Sequence, residues 1–126
     1  EENKPEYINT ALQNGYDVEI DVRFKNTQFY LGHDFAEYKV DESFLLNKKL
    51  WCHAKDIDAL DNLRKINAHF FWHQQDDITL TSKGYFWTYP GKLLTKNSIC
   101  VLPELGNDKK IDCAGICSDF IKDYKK

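Results

Sequence analysis

The segment from Tyr16 to Phe24 constrains this chain more than any other. Val18, Ile20 and Val22 alternate with Asp17, Glu19 and Asp21. A strict period of two puts apolar and acidic side chains on opposite faces of a β-strand. Glu19 and Asp21, at i and i+2, leave the same face about 7 Å apart at the backbone. The apolar face must be buried. If the acidic face also points inward, two like charges that close are costly without a cation. A hard divalent ion with oxygen ligands resolves that conflict. The alternative is a half-exposed strand whose acids stand in water.

Flanking residues extend this strand into an α/β pattern. Residues 4–14 predict a helix: Pro5 suits its first turn, Tyr7, Ile8, Ala11 and Leu12 recur at helical spacing, and Asn14-Gly15 ends it. Lys25-Asn26-Thr27 predicts a turn, with Gln28 to Leu31 returning from it. Leu50 to Lys55 predicts a strand and 56–66 a helix, capped by Asp56 and striped by Ile57, Leu60, Leu63 and Ile66. Further short strands are predicted at Phe70–His73, Tyr85–Tyr89, Ile99–Leu102 and around Ile116, with a terminal helix beginning at Phe120. Asp76-Asp77 predicts a turn before Ile78, and His69 is expected to face water at the start of its strand. Short apolar strands separated by polar segments suggest a parallel α/β arrangement in one domain over 1–126. The stretch from His73 to Tyr85 is short for a crossover helix.

Composition narrows the function classes. At 126 residues, 42% hydrophobic and 14% aromatic, the chain can bury a core. A net charge of −3 gives no general attraction to nucleic acid or an anionic membrane. No apolar run is long enough for a membrane span. The polar opening Glu1-Glu2-Asn3-Lys4-Pro5 and the absence of Met suggest a processed or truncated start. Cys52, Cys100, Cys113 and Cys117 fit no zinc spacing and read as free, buried thiols, which favours the cytoplasm.

Two more segments carry groups suited to chemistry. In Tyr30-Leu31-Gly32-His33-Asp34, glycine permits close backbone approach and His33 stands at a strand end, where proton transfer near neutral pH is available to it. In Trp51-Cys52-His53-Ala54-Lys55, His53 and Lys55 share one strand face. Together they suit a metal ligand and a phosphate contact. Each also has a bland reading, as polar side chains emerging where a strand meets solvent.

In order, Asn9-Thr10-Ala11-Leu12, Gly15-Tyr16-Asp17-Val18-Glu19-Ile20-Asp21-Val22 and Gly32-His33-Asp34 resemble the signature of the glycerophosphodiester phosphodiesterase-like family. Ala114-Gly115-Ile116-Cys117-Ser118-Asp119 resembles the family's last strand. The resemblance implies a TIM-like (β/α) barrel that hydrolyses small phosphodiesters of glycerol type. A regular eight-fold barrel takes about 250 residues, so the expected barrel is abbreviated or incomplete. By the same resemblance Glu19 and Asp21 are metal ligands and His33 is the acid for the leaving alcohol. His53-Ala54-Lys55 stands where the family has Glu-x-Lys, which implies His53 as third ligand and Lys55 as a catalytic cation. The implied cofactor is divalent Mg²⁺, Ca²⁺ or Mn²⁺, and a histidine ligand shifts preference toward Mn²⁺ or Zn²⁺. The family's opening strand bears His-Arg-Gly; this chain begins at the helix that follows. The expectation is therefore a domain lacking its first strand, with impaired catalysis and an open edge that permits self-association.

His73, Trp87 and Glu104 complete the expected site as substrate-binding residues at strand ends. Trp87, between Tyr85 and Tyr89 on one strand face, equally reads as core. The alternative function is a non-catalytic barrel remnant that holds metal or phosphate. No nucleic-acid partner is expected.

Overall fold

The computed structural model describes residues 3–103 and 113–117. The chain forms two compact units, Glu1–His73 and Gln74–Lys126.

The first unit opens with α1 (Pro5–Gln13), where the locked φ of Pro5 fits the first turn and Ile8 is fully buried. Gly15, at φ 88°, turns the chain into β1 (Val18–Lys25). Asn26 and Thr27 both take positive φ and form a tight hairpin to β2 (Gln28–Leu31), antiparallel to β1. β3 (Tyr38–Val40) pairs antiparallel with β2, and a single-turn helix α2 (Glu42–Leu45) follows. β4 (Leu50–Ala54) then lies parallel to β1. After α3 (Ile57–Lys65), β5 (Phe70–Trp72) lies parallel to β4. The sheet order is β3-β2-β1-β4-β5.

Ile20 and Val22 of β1, Leu50, Cys52 and Ala54 of β4, Ile8 of α1 and Ala59 and Leu63 of α3 share one core cluster. Each large apolar side chain fully buried there contributes about 1.5–3 kcal/mol. Asp56 holds the start of α3 twice: Oδ1 accepts from Ala59 N at 2.7 Å, and Oδ2 accepts from Phe24 N at 3.3 Å. The first bond caps the helix, and the second ties it to β1.

The opposite face of this sheet carries Glu19, Asp21 and His53. Parallel register sets Glu19 beside Trp51 and Asp21 beside His53, and then His53 beside Phe71. Asp21, His53 and Phe71 thus form one row across three strands.

The second unit holds a separate sheet, β6 (Ile78–Leu80), β7 (Phe86–Thr88), β8 (Ser98–Val101) and β9 (Gly115–Cys117), in that order. β6 is antiparallel to β7, and the remaining pairs are parallel. All residues of β8 are buried.

These sheets correct the expected TIM-like barrel. The described residues form two open mixed sheets and no closed parallel ring. A (β/α) barrel needs every neighbouring pair parallel and a crossover between strands. Here the tight turn at Asn26-Thr27 and the β6–β7 pairing are antiparallel. Other differences are local. Ile57, expected in the apolar stripe of α3, is 69% exposed, and Ala59 takes the buried position. His69, expected in water, is buried. β3, α2 and β6, of three or four residues each, are too short to show a period. Glu104 and the terminal helix expected from Phe120 lie outside the described residues. Among the described residues, no helix is long and apolar enough to cross a membrane.

Asp56→Ala removes both bonds at the head of α3. It is expected to lower the unfolding free energy by about 1–2 kcal/mol in urea denaturation, while Asp56→Asn keeps most of it.

Candidate functional site

The parallel register of β1 and β4 brings Glu19, Asp21 and His53 together, with ligand atoms all within 4.8 Å of one another. His53 Nδ1 lies 3.5 Å from Glu19 Oε2 and 3.6 Å from Asp21 Oδ1. Its other nitrogen, Nε2, is 3.0 Å from the backbone carbonyl of His73. A carbonyl oxygen only accepts, so Nε2 carries a hydrogen and donates it. In the neutral imidazole Nδ1 is then a bare lone pair, pointed at two carboxylates. That arrangement is repulsive until a positive charge enters it. A ligating histidine commonly has this form, one nitrogen on the metal and the other donating to a backbone carbonyl. The ring is also fixed in plane, stacked on Phe71 at 4.8 Å between centroids and 20° between planes. Two carboxylates and one imidazole are a donor set that fits a divalent cation.

Asp21 is 5% exposed, and its two oxygens are divided between tasks. Oδ1 faces His53, while Oδ2 lies 3.3 Å from His33 Nδ1 and accepts from Asn3 Nδ2 at 3.1 Å. Carboxylates accept, so His33 donates through Nδ1 and presents Nε2 outward, 4.0 Å from Asp34 Oδ1. The His33 side chain is 64% exposed, open to a solvent-borne reactant. One buried carboxylate therefore joins the Glu19–Asp21–His53 cluster to an exposed imidazole.

Asn3 is the residue the sequence reading missed. It is buried, accepts from Asp21 N at 2.9 Å through Oδ1 and donates to Asp21 Oδ2. This two-point grip ties the Asp21 backbone and one carboxylate oxygen to a single amide. Nothing in the sequence signals it, because the partners are 18 residues apart and joined only by the fold. Asp17, the third acid of the alternating segment, is engaged elsewhere: its Oδ2 accepts from Trp51 Nε1 at 3.1 Å.

The remaining expected site residues fare differently. Lys55 is half-buried just beyond the end of β4, its backbone N–H donating to Val22 O at 2.9 Å. His73 meets the cluster through its backbone carbonyl. Trp87 is buried on β7 in the second unit. Cys52, behind His53 on the core face, is free and buried; burial first, and then the Glu19 carboxylate, push its thiol up to about 12.

No known family model, curated protein or solved structure matches the chain.

Two outcomes are expected. Asn3→Ala should lower the unfolding free energy by about 1–3 kcal/mol, measured by urea denaturation, because a buried carboxylate and amide lose their partner. Cys52 keeps its proton in the fold from its ordinary 9.0 up to about 12 and loses it when unfolded, so folding stability falls as pH rises through that window. The urea midpoint should drop more steeply across that window in the parent than in Cys52→Ala.

Proposed function

We propose that this chain is a phosphodiesterase domain that hydrolyses a small, glycerol-type phosphodiester with a divalent metal cofactor, held by Glu19, Asp21 and His53. The observation that carries this reading is the shared Asp21 carboxylate, with His53 on one oxygen and His33 on the other. The resemblance of Gly15–Val22 and Gly32-His33-Asp34 to the glycerophosphodiester phosphodiesterase-like family supports it.

When bound, the cation supplies Lewis-acid polarisation of a phosphoryl oxygen and lowers the pKa of a bound hydroxyl or water. The chain's own residues do the rest. Glu19 and Asp21 provide hard oxygen donors, and the Nε2 bond to His73 holds the His53 lone pair on them. Hydrolysis forms a bond from water to phosphorus, the water's proton passing to solvent, and breaks the bond to the departing alkoxide; attack by a neighbouring substrate hydroxyl instead gives a cyclic phosphate that water opens in a second step. His33, protonated and anchored through Nδ1 on Asp21, gives its Nε2 proton to that alkoxide, leaving alcohol and phosphate ester. Lys55 offsets negative charge on the phosphoryl group. The free thiols of Cys52 and Cys113 fit a reducing compartment, so a cytoplasmic location is part of this proposal.

The test is alcohol release from a glycerol-based alkyl phosphodiester with Mg²⁺, Ca²⁺ and Mn²⁺. Activity should require a divalent ion and vanish in Asp21→Asn. His33→Ala should lose about 10²–10⁴ in kcat with Mn²⁺ binding retained. Tight Mn²⁺ binding without hydrolysis would replace the enzyme with a metal-binding module, and absence of both would end the proposal.

A further inference from the structure

Arg23 stands two residues beyond Asp21 on β1, across from Tyr30 of β2. Its Nε donates to Gly32 O at 2.9 Å and an Nη donates to His33 O at 2.5 Å. Both acceptors belong to the short loop that carries the exposed His33 imidazole. The same loop is held from the strand side, where Gly32 N donates to Asp21 O at 3.0 Å, and is closed by Glu37 N donating to Leu31 O at 3.0 Å. It is also packed tightly: a Cβ on Gly32 would meet the Phe35 carbonyl oxygen at 1.8 Å. Without such ties, an imidazole on a loop samples many orientations, and fixing it would cost entropy at the moment of reaction.

We infer that Arg23 is a positioning residue for His33: its guanidinium fork fixes the two successive carbonyls of the loop, and so fixes where the His33 imidazole presents Nε2. This rests on the hydrolase reading and deepens it, since it names what aims the proton donor. A planar guanidinium is required, because its donors diverge at fixed angles that match two neighbouring carbonyls, whereas an ammonium is a point charge on a flexible stem. Arg23 acts through backbone atoms and through His33, so its effect follows the need for a proton donor.

That need depends on the leaving group. An alkoxide leaves with a proton from His33; a p-nitrophenolate is stable enough to leave without one. In Arg23→Gln, kcat for the alkyl diester should fall about 10–100-fold. For bis-(p-nitrophenyl) phosphate it should fall by less than about 3-fold, since little general-acid help is lost there. Mn²⁺ affinity by calorimetry should stay near that of the parent. Arg23→Lys should resemble Arg23→Gln, and Gly32→Ala, which displaces the loop from its other side, should show the same selectivity. Nitrogen NMR of the metal-free protein gives a readout independent of turnover. His33 should hold its hydrogen on Nδ1 in the parent and spread over both tautomers in Arg23→Gln. Equal losses on both diesters, weakened Mn²⁺ binding, or an unchanged His33 spectrum would each overturn the role. If the parent hydrolyses neither diester, the hydrolase reading falls, and the NMR comparison alone decides whether Arg23 orders His33.

Discussion

An imidazole edge held against two carboxylates calls for positive charge between them, from a proton or a bound cation, and one face of the first sheet is built around that arrangement. The tautomer of His53 is set by a carbonyl that can only accept, on the residue that follows β5. The ring plane is set by Phe71 stacked against it. Asp21 has little freedom to turn away, since Asn3 grips both its amide and its carboxylate. The first two restraints come from β5 and the residue after it, the third from the segment ahead of α1, so the cluster is held by its surroundings rather than by its own contacts.

The sheet achieves this by register. β1 and β4 run parallel with Asp21 beside His53, and β5 continues the row with Phe71. A shift of one residue in either pairing would turn His53 into the core and Cys52 toward the acids. The apolar partners on the other face oppose such a slip, because Ile20, Val22, Cys52 and Ala54 are all but fully buried in one cluster with α1 and α3. Packing on the core face thereby fixes the grouping of Glu19, Asp21 and His53 on the other. The price is a raised Cys52 thiol, held neutral by burial behind a site of opposite need.

The antiparallel β1–β2 hairpin has its own consequence for function. A crossover helix after β1 would have carried the chain away from Asp21. The tight turn at Asn26-Thr27 instead returns β2 alongside, and Gly32 and His33 arrive back at Asp21 and Arg23. The His33 imidazole and the Asp21 carboxylate are thus joined within one short hairpin, with His53 added from β4, and this does not require a closed barrel.

Much of this was legible in the chain itself. Period-two alternation from Val18 to Val22 determines a strand with Glu19 and Asp21 on one face, since neighbouring side chains on extended backbone must point to opposite sides. Helical spacing and Asp56 likewise determine α3 to within a residue at each end. Local periodicity says nothing about which strands pair, in which direction, or whether a sheet closes. Those outcomes depend on contacts between residues far apart in sequence, and so only the tertiary structure decided against a barrel, buried His69, exposed Ile57 and recruited Asn3. It also decided which acid serves the cluster: Asp17 and Asp21 occupy equivalent positions in the alternation, but Trp51 takes the first and His53 faces the second.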